Sequence, residues 1–137
     1  MAERFPLKKE THEVIGCAME VHRAIGHGLH EKPYERALVV GLGIRSIPWQ
    51  QQPSFDIEYK GHHIGKCIPD LIACGKIVVD TKTIPRIANH EIGQMMTYLR
   101  VTHLPIGFVL NFSNSSLEFR RVVLTQAQPS NQEIYLR

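Results

Sequence analysis

The chain has 137 residues, 43% of them hydrophobic, and a formal net charge of +3 with its eight histidines neutral. That length fits a single domain over residues 1–137, with its body at about 11–124, and no apolar run approaches the roughly 18 residues of a membrane helix. Cys17, Cys67 and Cys74 are odd in number and lack C-x-x-C spacing, which argues against a disulfide framework, a zinc ribbon and a four-cysteine iron–sulfur cluster.

The charged segment from Met1 to Glu10 has no apolar stretch of the kind a secretory signal needs, so the chain is read as cytoplasmic. The first several residues and the tail from about Gln126 are read as weakly structured. From Thr11 or His12 to Ile25, Val14, Ile15, Ala18, Val21, His22 and Ile25 recur at three- and four-residue steps and predict a helix, which Gly26 and Gly28 end. A second helix is predicted over Glu31 to about Arg45, with Tyr34, Leu38, Val39 and Leu42 as its apolar stripe and Pro33 tolerated in the first turn. Gln51–Tyr59 and His62–Ile68 read as a strand pair turning at Lys60-Gly61, and Trp49 as a partly buried aromatic of that hairpin. Leu71–Ala73 and Lys76–Thr81 form a second hairpin around Cys74-Gly75. Asn89 to about Val101 is a third helix burying Ile92, Met95, Met96 and Leu99. Ile106–Asn111 and Leu117–Leu124 close the chain as strands, the first apolar enough to be covered on both faces. The order α-α-β-β-β-β-α-β-β implies an α/β (α+β) architecture, a mixed central sheet flanked by helices.

Pro69-Asp70, nine residues, then Asp80-Thr81-Lys82 places two carboxylates and a lysine at a spacing suited to metal-dependent phosphodiester cleavage. Mg²⁺ or Mn²⁺ takes hard oxygen ligands and often only one or two carboxylates directly, leaving water and substrate oxygens to complete the shell. A neighbouring lysine can stabilise charge or orient the attacking water. The alternative is structural: Asp70 begins a turn, Asp80 ends a strand, Lys82 is solvated, and such a pattern arises readily by chance. Strand geometry makes the choice testable. Asp80 and Lys82 share a face by the two-residue period, but Asp70 joins them only if the hairpin connection has an odd number of residues. A three- or five-residue connection, or a bulge, is therefore predicted, with Gly75 at positive φ.

Elsewhere, Glu31 in the first turn of its helix is favoured by the dipole whether or not it has a catalytic task. Gln94 and Tyr98, four apart, project from one face of the third helix, where an amide and a phenol could contact phosphate or the lysine. His90 lies one turn earlier, equally readable as solvated or as DNA-binding. Tyr34 reads as a packing residue whose hydroxyl finds a local partner, and His62 and His63 point to opposite faces and cannot easily share a cation.

Gly28-Leu29-His30-Glu31-Lys32-Pro33-Tyr34 resembles the signature of the GxxExxY family, small proteins assigned to the PD-(D/E)XK nuclease superfamily. The first helix, Tyr59-Lys60-Gly61, Asp70-Leu71, Asp80-Thr81-Lys82, Gln94-x-x-x-Tyr98-Leu99 and Gly107-x-x-Leu110-Asn111-Phe112 follow in the same order, so the resemblance covers about residues 11–124. It implies a restriction-endonuclease-like core in which Glu31, Asp70, Asp80 and Lys82 are catalytic. It also implies that Asp70, Asp80 and Glu31 bind Mg²⁺ or Mn²⁺ and that Gln94 and Tyr98 contact substrate, to which His90 is added from its place on the same helix face. Two positions depart from the pattern: Asp80 stands where glutamate is commoner, and His27 replaces an expected proline. The expected activity is hydrolysis of DNA, and the alternative is a catalytically weak or inactive nucleic-acid-binding module that keeps the fold. A homodimer or a partner protein is compatible with either, and no interface is legible in the chain.

Overall fold

A computed structural model describes residues 7–124, so the readings made for the first six residues and for the tail from Gln126 lie outside the described residues. In chain order the elements are α1 (Lys8–Ile25), α2 (Glu31–Ile44), β1 (Trp49–Gln51), β2 (Phe55–Tyr59) and β3 (His62–Cys67). They continue with β4 (Leu71–Ala73), β5 (Ile77–Lys82), α3 (Asn89–Thr102), β6 (Ile106–Asn111) and β7 (Glu118–Val123). Five strands form a mixed sheet in the order β1-β4-β5-β6-β7, and β2 and β3 form a separate two-stranded sheet. Only β5 and β6 run parallel, joined by α3 as the crossover.

The pattern of apolar residues explains the layers. Along β5, Ile77 and Val79 pack with α1 and α2, among Val14, Cys17, Ala18, Tyr34, Leu38 and Phe112. The intervening Val78 packs on the other side with Met95 and Leu99 of α3 and Ile72 and Val109 of the sheet. Every residue of β6 is buried, as a strand sandwiched between two helical layers must be. Gly107 of β6 lets α3 come close, because a Cβ there would overlap the Met95 side chain. Tyr34 is fully buried, stacks on Phe112 with ring centroids 4.5 Å apart, and donates its hydroxyl proton to the Gly26 carbonyl at 2.6 Å. This fixes the α1–α2 turn, where Gly26 and Gly28 have φ of 80° and 111°.

Three boundaries differ from the sequence reading. α1 begins at Lys8, because the Leu7 carbonyl already accepts from the Thr11 N–H at 2.8 Å. Lys8, Lys9 and Glu10 favour helix but lie outside the apolar stripe, so periodicity alone misses them. The expected strand from Gln51 to Tyr59 is two strands in two sheets. Gln52 adopts φ of 53° ahead of Pro53, which turns the chain out of the main sheet after β1 and raises the strand count by one. Trp49 is 42% exposed, on an edge strand beside Gly43 rather than inside the hairpin. No helix among the described residues is long and apolar enough to cross a membrane.

Candidate active site

The β4–β5 connection consists of Cys74, Gly75 and Lys76, since Ala73 pairs with Ile77. Cys74 and Gly75 take φ of 48° and 67°, as an odd-length connection turning at Gly75 requires. Leu71 pairs with Val79, so Asp70, one residue before β4, falls opposite Asp80 at the carboxyl end of β5. Because Ile72 and Val78 face α3, Asp70 and Asp80 are set on that side too. The parity argument thus gives the observed arrangement.

Asp70 is held from two directions. Its Oδ2 accepts from both the backbone N–H and the hydroxyl of Thr81, each at 2.8 Å. Its carbonyl accepts from the Gln52 N–H, also at 2.8 Å. Asp80 is 4% exposed, and its Oδ2 lies 3.1 Å from Lys82 Nζ. That ammonium also donates to Gln94 Oε1 at 2.9 Å, tying the end of β5 to α3.

Charge and burial act on these groups together. Burial raises the Asp80 carboxyl from 3.8 to about 7; the negative charge of Asp70 and a hydrogen bond between the carboxyls add to the rise, and Lys82 opposes it. For Lys82, burial acts to lower the pKa. The charge and hydrogen bond of Asp80, with the charges of Glu31 and Asp70, outweigh it, so the pKa is raised and the ammonium form persists at neutral pH. Tyr98 is half-buried, and burial raises its phenol, helped by the charges of Asp80, Cys67 and Asp70; it is a hydrogen-bond donor at neutral pH.

Glu31 comes from the other helical layer. It is exposed, accepts from the Thr83 N–H at 3.3 Å just beyond β5, and its charge reaches Lys82. His90 is exposed on the first turn of α3, and no hydrogen bond among the described residues ties it to Lys82, Gln94 or the acids. Among the described residues no three His, Cys, Asp or Glu side chains gather as a ready-made cation cage. The fold therefore assembles a pair of acids, with a lysine, an amide and a phenol around it.

Sequence reasoning missed several supports. Thr81 is buried and serves as the hydrogen-bonding mate of Asp70. Asn111, fully buried, accepts from the Ile84 N–H at 3.1 Å and donates to the Ile84 carbonyl and to Glu118 Oε1, each at 2.9 Å. Glu118 accepts in turn from the Ile87 N–H, so both side chains brace the loop that follows Lys82. Glu35, one turn after Glu31, is 2% exposed. Its signal was its spacing, since residues four apart on α2 face the same way.

The chain as a whole has relatives. The chain belongs to the PD-(D/E)XK nuclease superfamily, whose family pattern matches residues 8–122. Among solved structures, the crystal structure of SSO0001 is similar at 17% identity and a TM-score of 0.55, over 96% of this chain and 64% of that one. This chain therefore spans less than two thirds of the length of SSO0001. An alkaline exonuclease (LHK-Exo) from Laribacter hongkongensis is similar at 12% identity and a TM-score of 0.54, over 98% of this chain and 78% of that one. At such identities the likeness is one of fold. No curated protein matches the chain in sequence.

Proposed function

We propose that the chain is a GxxExxY-type nuclease that hydrolyses phosphodiester bonds of DNA with Mg²⁺ or Mn²⁺ at the Asp70–Asp80 pair. The observation that carries this reading is the convergence of the two carboxylates on Lys82, itself anchored to Gln94. The donor set fits a hard divalent cation: two carboxylates crowd one another, and the repulsion that helps raise Asp80 to about 7 is what a cation would relieve. Bound there, the cation would supply Lewis acidity, polarising the scissile phosphate and making a coordinated water more acidic.

The chain's own groups do the rest. Lys82 presents a fixed ammonium to a non-bridging phosphate oxygen or to the attacking water, and Gln94 limits the positions its Nζ can take. Tyr98 offers a phenolic proton to the same phosphate. Glu31, outside the acid pair, holds the Thr83 backbone and would add its negative charge to the hold on the cation. His90, exposed at the start of α3, meets the DNA backbone at the rim of the site. Asp80, shorter than a glutamate by one methylene, would hold the cation together with Asp70, which falls opposite it at the end of β5.

The test is to incubate linear, nicked, single-stranded and branched DNA with and without Mg²⁺ or Mn²⁺, comparing the wild type with Lys82→Ala and Asp70→Ala. Cleavage that needs the metal and is lost in both variants supports the reading. Metal-dependent cleavage that both variants retain rejects the site, and DNA binding without cleavage points to a non-catalytic module.

A further inference from the structure

Glu35 is a buried acid with no part in the chemistry above. Only 2% of it is exposed, and its carboxylate accepts from Gln51 Nε2 at 2.8 Å, from Gln52 Nε2 at 3.3 and 3.4 Å, and from Lys32 Nζ at 3.3 and 3.4 Å. Burying a carboxylate is unfavourable unless donors surround it, and here two side-chain amides and an ammonium do so. Two of those donors come from the short edge strand β1 and its end, which otherwise present exposed side chains to solvent.

Gln52 is the pivotal residue. Its φ of 53° lies in the left-handed region that non-glycine residues rarely adopt, so something must hold it there. With its side-chain amide bonded to Glu35, the Gln52 backbone N–H is aimed at the Asp70 carbonyl at 2.8 Å. Thr81 holds Asp70 by its carboxylate, while Gln52 holds it by its backbone. Glu35 therefore stands at the head of a chain of hydrogen bonds that ends at one of the two paired acids.

We propose that Glu35 is a positioning residue for the cation site, clamping Gln51 and Gln52 so that Gln52 fixes the backbone of Asp70. The inference rests on the metal-dependent reading of the Asp70–Asp80 pair. Glu35 does not touch the cation. A glutamine at position 35 would lose the charge and one acceptor oxygen, and would turn an N–H group toward the amides of Gln51 and Gln52, so the clamp would open.

The experiment measures Mn²⁺ affinity of the full chain by electron paramagnetic resonance of free Mn²⁺. The proteins are wild type, Glu35→Gln, Gln52→Ala, Asp70→Asn, Glu35→Gln/Gln52→Ala and Glu35→Gln/Asp70→Asn, with circular dichroism in EDTA to verify folding. Gln52 is exposed, so its alanine variant keeps the test decisive should the Glu35 variant fail to fold. Glu35→Gln and Gln52→Ala are each expected to weaken Mn²⁺ binding by about 10- to 100-fold, the range for groups that orient a metal ligand. The Glu35→Gln/Gln52→Ala pair should weaken it no further than the stronger single change, and Glu35→Gln should have no effect once Asp70 is asparagine. Wild-type affinity in folded Glu35→Gln or Gln52→Ala, or effects that multiply with Asp70→Asn, would overturn the clamp while leaving the nuclease reading intact. A wild type that binds no Mn²⁺ would overturn both.

Discussion

Asp80 links the candidate site to the stability of the whole chain. Its carboxyl is raised from 3.8 to about 7, first by burial and then by the charge of Asp70. A group whose pKa is higher in the folded state stabilises the fold while protonated and ceases to do so as pH rises. Between about 4 and 7 the unfolded chain has released this proton while the native chain still holds it, so stability falls with pH across that window. At 1.36 kcal/mol per pH unit the whole effect is about 4 kcal/mol, more than half of it lost between pH 5 and pH 8. At 4% exposure, solvent screening takes little from it. Asp80→Asn replaces the carboxyl with a neutral group of the same shape and removes this dependence. Urea denaturation in EDTA at pH 5, 6, 7 and 8 measures it: the stability difference between wild type and variant should move by about 2–3 kcal/mol over the range, against the wild type as pH rises. Saturating Mg²⁺ should restore much of the loss at pH 8 in the wild type and little in Asp80→Asn. A difference that stays constant from pH 5 to pH 8 would refute the reasoning.

Gly107→Ala would press a methyl group into Met95 and should destabilise the fold by about 1–3 kcal/mol, visible as a lower urea midpoint at unchanged slope. Asn111→Ala would orphan the backbone of Ile84 and take one donor from Glu118; a loss of about 2–3 kcal/mol is expected, with reduced cleavage even where the protein remains folded, because the loop after Lys82 loses part of its brace. Tyr34→Phe keeps the stack on Phe112 but leaves the Gly26 carbonyl unpaired, and should cost about 1–2 kcal/mol in the same denaturation assay.

Short-range rules carried much of this fold and site. Alternation along Ile77-Val78-Val79-Asp80, with the parity of a three-residue connection, was enough to put Asp70 and Asp80 on one face. Four-residue spacing set Gln94 and Tyr98 on one face of α3 with phosphate and the lysine both open as partners, and the fold brings Gln94 onto Lys82. What escaped depended on distant partners. The left-handed turn at Gln52 is held by Glu35 on α2 and leads into a strand of another sheet, so nothing within Gln51–Tyr59 signals the break strongly except Pro53. Spacing gives the face of α2 on which Glu35 lies, but its burial arises only when β1 folds across α2. Trp49 reads in sequence as hairpin packing, but β1 pairs with β4 at the sheet edge, leaving much of the indole in solvent.

Whether Asp70 and Asp80 together hold a divalent cation against Lys82 is decided by anomalous diffraction from crystals soaked in Mn²⁺. One strong manganese peak is expected within coordination distance, about 2.0–2.3 Å, of oxygens from both carboxylates, with the Lys82 ammonium close by and the peak much weakened in Asp70→Asn crystals. A peak at the histidines of β3 instead, or none at saturating Mn²⁺, would contradict it.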